Sequence, residues 1–164
     1  GPKKAGDRLF ELSENRPQID LLDLSLGNKL ELAFFDIEGN KISTSSLGID
    51  YTLVDFWASW CKPCRQETPT IKYALQKYPN NFAVYAVSLD DKRAAWQRAI
   101  YEDSTQMFKH LIGTYPNGQR SRLLRQLNIE IIPTNFLIDN NQRIIAKDLH
   151  GERLIQVLDS LIQK

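Results

Sequence analysis

The segment "YTLVDFWASWCKPC", residues 51–64, decides the fold of this chain. Its first seven residues form an apolar run that one acid, Asp55, interrupts, and such runs are typical of β-strands covered on both faces. The two cysteines of the chain, Cys61 and Cys64, follow this run. A helix is predicted next, from about Pro63 to Lys77. Its end is placed at Lys77 because the pair Tyr78-Pro79 follows, and the residue before a proline disfavours helix. The segment thus predicts a strand, a pair of cysteines and a helix in direct succession.

The patterns on either side predict further strands and helices. Before the segment, "KLELAFFDIEGNKIS" predicts a β-hairpin that turns at Gly39. After it, the chain predicts a buried strand (81–89), a helix that begins with the acids Asp90 and Asp91 (90–102), a loop-rich stretch through His110, a short helix (121–128), a hairpin that turns at Asn140-Asn141 (129–149) and a final helix (151–164). We therefore predict an α/β fold in which a mixed central β-sheet is flanked by helices, with an extra N-terminal β-hairpin.

The chain is expected to hold one domain. Its 164 residues and 18.9 kDa suffice for a single hydrophobic core. Residues 1–6 are interpreted as a linker left by removal of an expression tag, since the chain starts with Gly1-Pro2 and no methionine. Residues 7–29 are interpreted as an N-terminal extension with a short helix over 7–15, and residues 30–164 as the domain proper. The net charge of +1 argues against nucleic acid as a partner, and the chain has no apolar run of about 18 residues that would span a membrane.

The two cysteines allow three readings: a zinc site, a structural staple or a redox pair. A structural zinc site needs about four ligands, whereas His110 and His150 are isolated in the sequence. A disulfide between residues so close together closes a very small loop, so it removes little chain entropy from the unfolded state. Both readings are therefore disfavoured, and no metal is expected.

The redox reading agrees with the local sequence. Cys61 directly precedes the predicted helix, whose free N–H groups and dipole favour a thiolate over a thiol. Lys62 adds a positive charge, and Pro63 occupies an early helical position where its missing N–H costs nothing. Cys64, in the first turn, is placed to attack a mixed disulfide formed at Cys61. We therefore expect Cys61 to be the exposed nucleophile and Cys64 the buried resolving thiol.

These motifs resemble a known family. "VDFWASWCKPC" is similar to the active-site segment of the thioredoxin superfamily, and Pro69 stands where thioredoxin-like helices carry a kinking proline. Ile132-Pro133-Thr134 resembles the cis-proline loop of that family. The continuation "CRQETP" and the ending "FLIDNNQRIIAKDLHGERL" are most similar to the TlpA/ResA-like branch. The resemblance implies a thioredoxin-like fold over residues 30–164 and the activity of an extracytoplasmic thiol–disulfide oxidoreductase, a class that is mostly anchored by a signal helix or a lipid.

The resemblance also implies roles for the surrounding residues. By this resemblance, Asp55 would lie beneath the buried cysteine and shuttle its proton. The cost of burying a carboxylate in an apolar strand agrees with such a role, since the burial is unfavourable without a function or a partner. Trp60 would shield the disulfide and form part of the surface on which a substrate docks. Ile132 and Pro133 would be joined by a cis peptide bond, and the Ile132 backbone would pair with an extended substrate segment.

The function indicated is a protein-disulfide reductase that uses no cofactor beyond the Cys61–Cys64 disulfide. Its expected partners are disulfide-containing protein substrates and an upstream thiol electron donor. Its expected location is the periplasm, where the native protein would be held by a membrane or lipid anchor. Two alternatives stay open. Peroxidases of the same fold use a lone reactive cysteine, so the second thiol of this chain, with two residues between it and the first, argues against a peroxidase. A binding module is disfavoured because both cysteines and the proline loop are present.

Overall fold

A seven-stranded mixed sheet forms the centre of the protein. The computed structural model describes residues 19–163, so the predicted linker (1–6) and short helix (7–15) lie outside the described residues. The strands are β1 (Ala33–Phe35), β2 (Lys41–Ser43), β3 (Tyr51–Trp57), β4 (Phe82–Ser88), β5 (Lys109–Ile112), β6 (Thr134–Asp139) and β7 (Ile144–Lys147). They lie in the order β2-β1-β5-β4-β3-β6-β7, with β3, β4 and β5 parallel and the other neighbours antiparallel. The predicted thioredoxin-like α/β fold and the N-terminal hairpin, β1–β2, are confirmed.

Within residues 19–163, five α-helices accompany the sheet: α1 (Lys62–Gln66), α2 (Thr68–Lys77), α3 (Arg93–Glu102), α4 (Arg122–Leu127) and α5 (Glu152–Ile162). A 3₁₀ turn follows β2 at Thr44–Leu47. The single helix predicted over residues 63–77 is two helices that meet at Glu67. The break has a local cause, since Pro69 has no N–H to continue the hydrogen-bond ladder of α1. Within the part of the chain that is described, no helix has the length and apolarity needed to cross a bilayer.

Two predictions for the segment after β4 are wrong. Residues 109–112, predicted as part of a loop, form β5 beside β4, with His110 opposite Ala86. Lys109 and His110 hide this strand in the sequence because they interrupt its apolar pattern. The helix does not begin with Asp90 and Asp91 as predicted, since α3 starts at Arg93 and the residue at its N-cap, Lys92, makes no capping hydrogen bond through its side chain. Asp90 is instead buried beside the end of β4.

The segment before β1 covers the open edge of β7. The Gly27 N–H donates to the Ile144 carbonyl over 2.7 Å, and the Leu30 N–H donates to the Gln142 carbonyl over 2.6 Å. Lys29 forms an isolated β-bridge with Arg143. The described part of the predicted N-terminal extension is therefore hydrogen-bonded to the domain, which satisfies backbone groups that an edge strand would otherwise expose.

One edge of the sheet, formed by the C-terminal ends of its parallel strands, brings the cysteines and the proline loop to the same side of the protein. The parallel strands β3 and β4 end there, and Cys61 caps the N-terminus of α1 four residues after β3 ends. Thr134, the first residue of β6, pairs with Phe56 near the end of β3. Pro133, one residue before Thr134, therefore lies at the edge where the cysteine segment begins.

Candidate active site

Cys61 and Cys64 form a disulfide at the start of α1, with their Cα atoms 5.3 Å apart. Cys61 is the N-cap residue and has an extended backbone, whereas Cys64 lies in the first turn. The Cys64 backbone N–H donates to the Cys61 Sγ over 3.2 Å. Helices begin in this way when a side-chain atom accepts one of the free N–H groups of the first turn. The same donor favours a negative charge on the Cys61 sulfur once the disulfide is reduced.

Both cysteines are buried in the disulfide form. Each is 5% exposed, so the expected exposure of Cys61 is wrong for this state. The disulfide and the hydrogen bond from the Cys64 N–H hold the Cys61 Sγ against the first turn of α1, which accounts for its burial. The residues around the disulfide are exposed: Lys62 and Pro63 lie on the surface, and Trp60 is 66% exposed.

Asp55 is the buried acid of the site. It lies on β3, is 8% exposed and lines the same small cavity as Cys64. Burial, helped by the negative charge of Glu67, raises the pKa of Asp55 from its ordinary value of 3.8 to about 8. The carboxyl group of Asp55 therefore holds its proton at neutral pH in the disulfide form, in a cavity that Cys64 also lines.

Glu67 is a site residue that the sequence interpretation missed. It occupies the break between α1 and α2, where its Oε2 accepts from the Gly151 N–H over 3.1 Å and its Oε1 lies 3.3 Å from the His150 Nδ1. Its negative charge contributes to the raised pKa of Asp55. One signal was available, because an acid three residues after Cys64 lies on the same side of the helix as that cysteine.

Asp90 anchors the loop that precedes Cys61. Its carboxylate accepts from the Ser59 N–H over 3.0 Å, from the Ser59 hydroxyl over 2.5 Å and from the Ser88 hydroxyl over 2.6 Å. With 1% exposure it is one of the most buried polar residues among those described. These bonds tie the segment between β3 and α1 to the end of β4, which fixes the position from which the cysteine pair starts.

Arg65 fastens the other side of the cysteine segment. Its guanidinium donates to both carboxylate oxygens of Asp103 over 2.9 Å, to Glu102 over 3.0 Å and to the Ser59 carbonyl over 3.2 Å. Paired bonds of this kind between arginine and a carboxylate are geometrically specific and strong for their class. Arg65 thereby links the loop, α1 and the C-terminal end of α3.

The proline loop lies at the same edge of the sheet. The Ile132–Pro133 peptide bond is cis, Ile132 and Pro133 are half-buried, and the preceding Ile131 is 76% exposed. Within residues 19–163, no group of three or more histidine, cysteine or acidic residues is arranged to hold a metal ion. A disulfide at a helix N-terminus with a protonated carboxyl group beside its second cysteine is suited to thiol–disulfide exchange.

Known proteins share this architecture. A sequence profile described as thioredoxin-like matches residues 48–144. The thiol-disulfide oxidoreductase ResA of Bacillus cereus is 27% identical over 136 residues, which span 79% of this chain and 71% of ResA. The solved structure of a thiol-disulfide oxidoreductase from Bacteroides fragilis is 31% identical in sequence, with a TM-score of 0.71. The match covers 82% of this chain and 98% of the Bacteroides fragilis chain. The thioredoxin domain of a Bacteroides vulgatus thiol-disulfide oxidoreductase is 26% identical in sequence, with a TM-score of 0.74. The match covers 85% of this chain and 99% of the Bacteroides vulgatus domain.

Proposed function

Because this chain belongs to the thioredoxin-like family and is a thiol–disulfide oxidoreductase, we propose that it works as a reductase of protein disulfides. One observation carries the proposal: the Cys61 Sγ accepts a hydrogen bond at the N-terminus of α1, while Cys64 shares a cavity with a protonated Asp55. This arrangement gives the two cysteines different tasks, with Cys61 as the nucleophile and Cys64 as the resolving thiol.

The reaction has two exchange steps. The reduced Cys61 thiolate attacks one sulfur of a substrate disulfide, forming a mixed disulfide while the other substrate sulfur leaves as a thiolate. Cys64 then gives its proton to the Asp55 carboxylate and attacks the Cys61 Sγ. The Cys61–Cys64 bond forms, and the bond to the substrate breaks and releases the second thiolate. The raised pKa of Asp55 in the disulfide form supports this order, since Asp55 is then left holding the proton.

The reducing direction is supported by the modest help given to the Cys61 thiolate. A strong oxidant of this fold stabilises its reduced form heavily, usually through several donors to the thiolate. Here the donor is the Cys64 N–H, and Lys62 adds a positive charge on the surface. Ionised Asp55 would oppose a second negative charge nearby. A potential nearer thioredoxin's, about −270 mV, than a strong oxidant's, about −120 mV, follows from this balance.

Substrate proteins are proposed to dock at the edge of the sheet around the disulfide. The exposed indole of Trp60 and the half-buried Ile132 and Pro133 support this surface. An extended substrate segment would pair with the Ile132 backbone, so that main-chain hydrogen bonds give affinity with little demand on substrate sequence. An upstream thiol donor restores the Cys61–Cys64 dithiol, and no further cofactor takes part.

The proposed location is outside the cytoplasm, in the periplasm, with the native protein anchored to a membrane. The support is the similarity of the "CRQETP" and "DLHGERL" segments to the TlpA/ResA-like branch, together with the likeness to ResA. A fusion of the native gene product to a reporter that is active only outside the cytoplasm tests this location.

Two assays and a trapping experiment test the function. The protein should reduce insulin disulfides with a thiol donor and should not consume hydrogen peroxide at a comparable rate. Cys64→Ser should trap substrates as mixed disulfides at Cys61, whereas Cys61→Ser should trap none. Peroxide consumption that needs only Cys61 would indicate the peroxidase, and failure in all three measurements would indicate a binding module.

A further inference from the structure

Asp55 and His110 lie in the same row of the sheet. Asp55 on β3 pairs with Ala86 on β4, and Ala86 pairs with His110 on β5. Residues in register on adjacent strands point to the same face, and the outer two strands of such a trio are about 10 Å apart. Ala86 carries only a methyl group, and all three residues of this row line one small cavity.

A small cavity lies over this row, beneath the second cysteine. Asp55, Trp57, Cys64, Thr105 and His110 are among the residues that line it. The volume that the centre of a water molecule could occupy in this cavity is about 10 Å³, which is close to what one water molecule needs. The cavity therefore has room for a single water between the buried acid, the resolving cysteine and the imidazole.

Two lining residues present polar atoms that need a partner. The Trp57 Nε1 and the His110 Nδ1 are both buried and have no hydrogen-bond partner among the described residues. The two rings are close to each other, with centroids 5.8 Å apart. Unpaired buried polar atoms are costly, and ordered water is their usual partner when protein groups are out of reach.

The tautomer of His110 follows from its other nitrogen. Its Nε2 lies 2.9 Å from the Thr105 carbonyl oxygen, which can only accept, so Nε2 carries the hydrogen and donates it. Burial lowers the pKa of His110 to about 4, which leaves the ring neutral at physiological pH. The Nδ1 is therefore a free lone pair, ready to accept one hydrogen bond.

We propose that His110 is a positioning residue for the proton that Asp55 exchanges with Cys64, and that it acts through one water in this cavity. The water accepts from the Trp57 Nε1–H and donates one hydrogen to the His110 Nδ1. One donor and one acceptor then remain for Asp55, so the water donates to the carboxylate or accepts from the carboxylic acid. The same water thus serves both protonation states without moving. This proposal rests on the proposed exchange of a proton between Cys64 and Asp55.

Other charged groups around His110 must be separated from Asp55 in any test. On the cavity side the further charged group is Asp103, which is paired with Arg65. His110 also borders a surface cleft of about 450 Å³ between α3 and the β1–β2 turn. The titratable groups lining that cleft are Asp36, Glu38, Tyr101 and Lys109.

Kinetics of the two exchange steps test the role in the reaction. His110→Leu removes the acceptor and should slow the attack of Cys64 on a preformed mixed disulfide about tenfold, a part of the ~10²-fold that proton transfer can contribute. The first attack by Cys61 should stay unchanged. His110→Gln can donate to Thr105 and accept from the water, so it should recover most of the rate. Equal losses in both steps, or wild-type rates in both variants, would overturn the proposal.

Nitrogen NMR of the oxidised protein tests the geometry without requiring any reductase activity. As pH rises from about 6 to about 9.5, the His110 Nδ1 resonance should shift with the midpoint of Asp55 while the ring stays neutral. This step should be absent in Asp55→Asn and retained in the control Glu38→Gln, which changes the cleft side. A flat Nδ1 resonance in the wild type, or the same step in Asp55→Asn, would overturn the proposal even if the protein reduces insulin normally.

Discussion

Replacing Asp55 by asparagine should remove a pH-dependent loss of stability from the oxidised protein. In the unfolded chain an aspartate ionises near its ordinary pKa of 3.8, but in the folded protein burial and Glu67 raise the pKa of Asp55 to about 8. Between these two values the folded state binds one proton more than the unfolded state. Stability therefore falls as pH rises through this window, by about 1.4 kcal/mol for each pH unit.

The size of the effect follows from that window. Between pH 5 and pH 8 the free energy of unfolding of the wild type should fall by about 4 kcal/mol through Asp55 alone. Asparagine has nearly the same shape and cannot ionise, so the variant lacks this contribution. The stability of Asp55→Asn relative to wild type should thus increase by about 4 kcal/mol over the same range.

Urea unfolding at a series of pH values measures this difference directly. The protein must be kept oxidised, with the Cys61–Cys64 bond intact, because that is the state for which the pKa applies. Asp20→Asn, at an exposed aspartate, is the matched control and should follow the wild type. If the curves of Asp55→Asn and wild type run parallel from pH 5 to pH 8, Asp55 is not held neutral by its surroundings and the reasoning fails.

Three further outcomes are expected. Asp55→Asn should slow the release of mixed disulfides about 10²-fold while the first attack by Cys61 is unchanged, which rapid-mixing kinetics can separate; equal slowing of both steps would argue for a structural role. Glu67→Gln should lower the pKa of Asp55, so the fall of the unfolding free energy with rising pH should end at a lower pH than in the wild type. If the pH dependence of the unfolding free energy is unchanged, Glu67 does not act on Asp55. Ser59→Ala should cost about 1–2 kcal/mol of unfolding free energy because Asp90 loses a buried donor, and an unchanged urea midpoint would contradict this.

The strand, the cysteine pair and the following helix could be predicted from sequence because their signals are local. An apolar run with one acid, two cysteines and a proline-marked helix start all lie within residues 51–64. Each signal depends on neighbours a few residues away, so no knowledge of the tertiary structure was needed. The placement of Cys61 at the N-cap and of Asp55 in the buried strand follows from the same patterns.

The features that the sequence interpretation missed depend on contacts that are made only in the folded protein. Asp90 reads as a helix-start acid, yet its carboxylate binds Ser59, thirty-one positions earlier. His110 interrupts an apolar pattern, yet it lies on a central strand where Thr105 satisfies its Nε2. The influence of Glu67 on Asp55 requires the break between α1 and α2, and the burial of Cys61 reflects the closed disulfide. Among these missed features, the position of Glu67, three residues after Cys64, is the one that left a signal in the local sequence pattern.

The reduction potential of the Cys61–Cys64 pair tests the central proposal most directly. It can be measured by equilibrating the protein with glutathione or dithiothreitol mixtures and quantifying the oxidised fraction by alkylation. A reductase with one helix N–H on its nucleophile should have a potential nearer about −270 mV than about −120 mV. A value above about −180 mV, where isomerases and oxidants lie, would contradict the reducing direction.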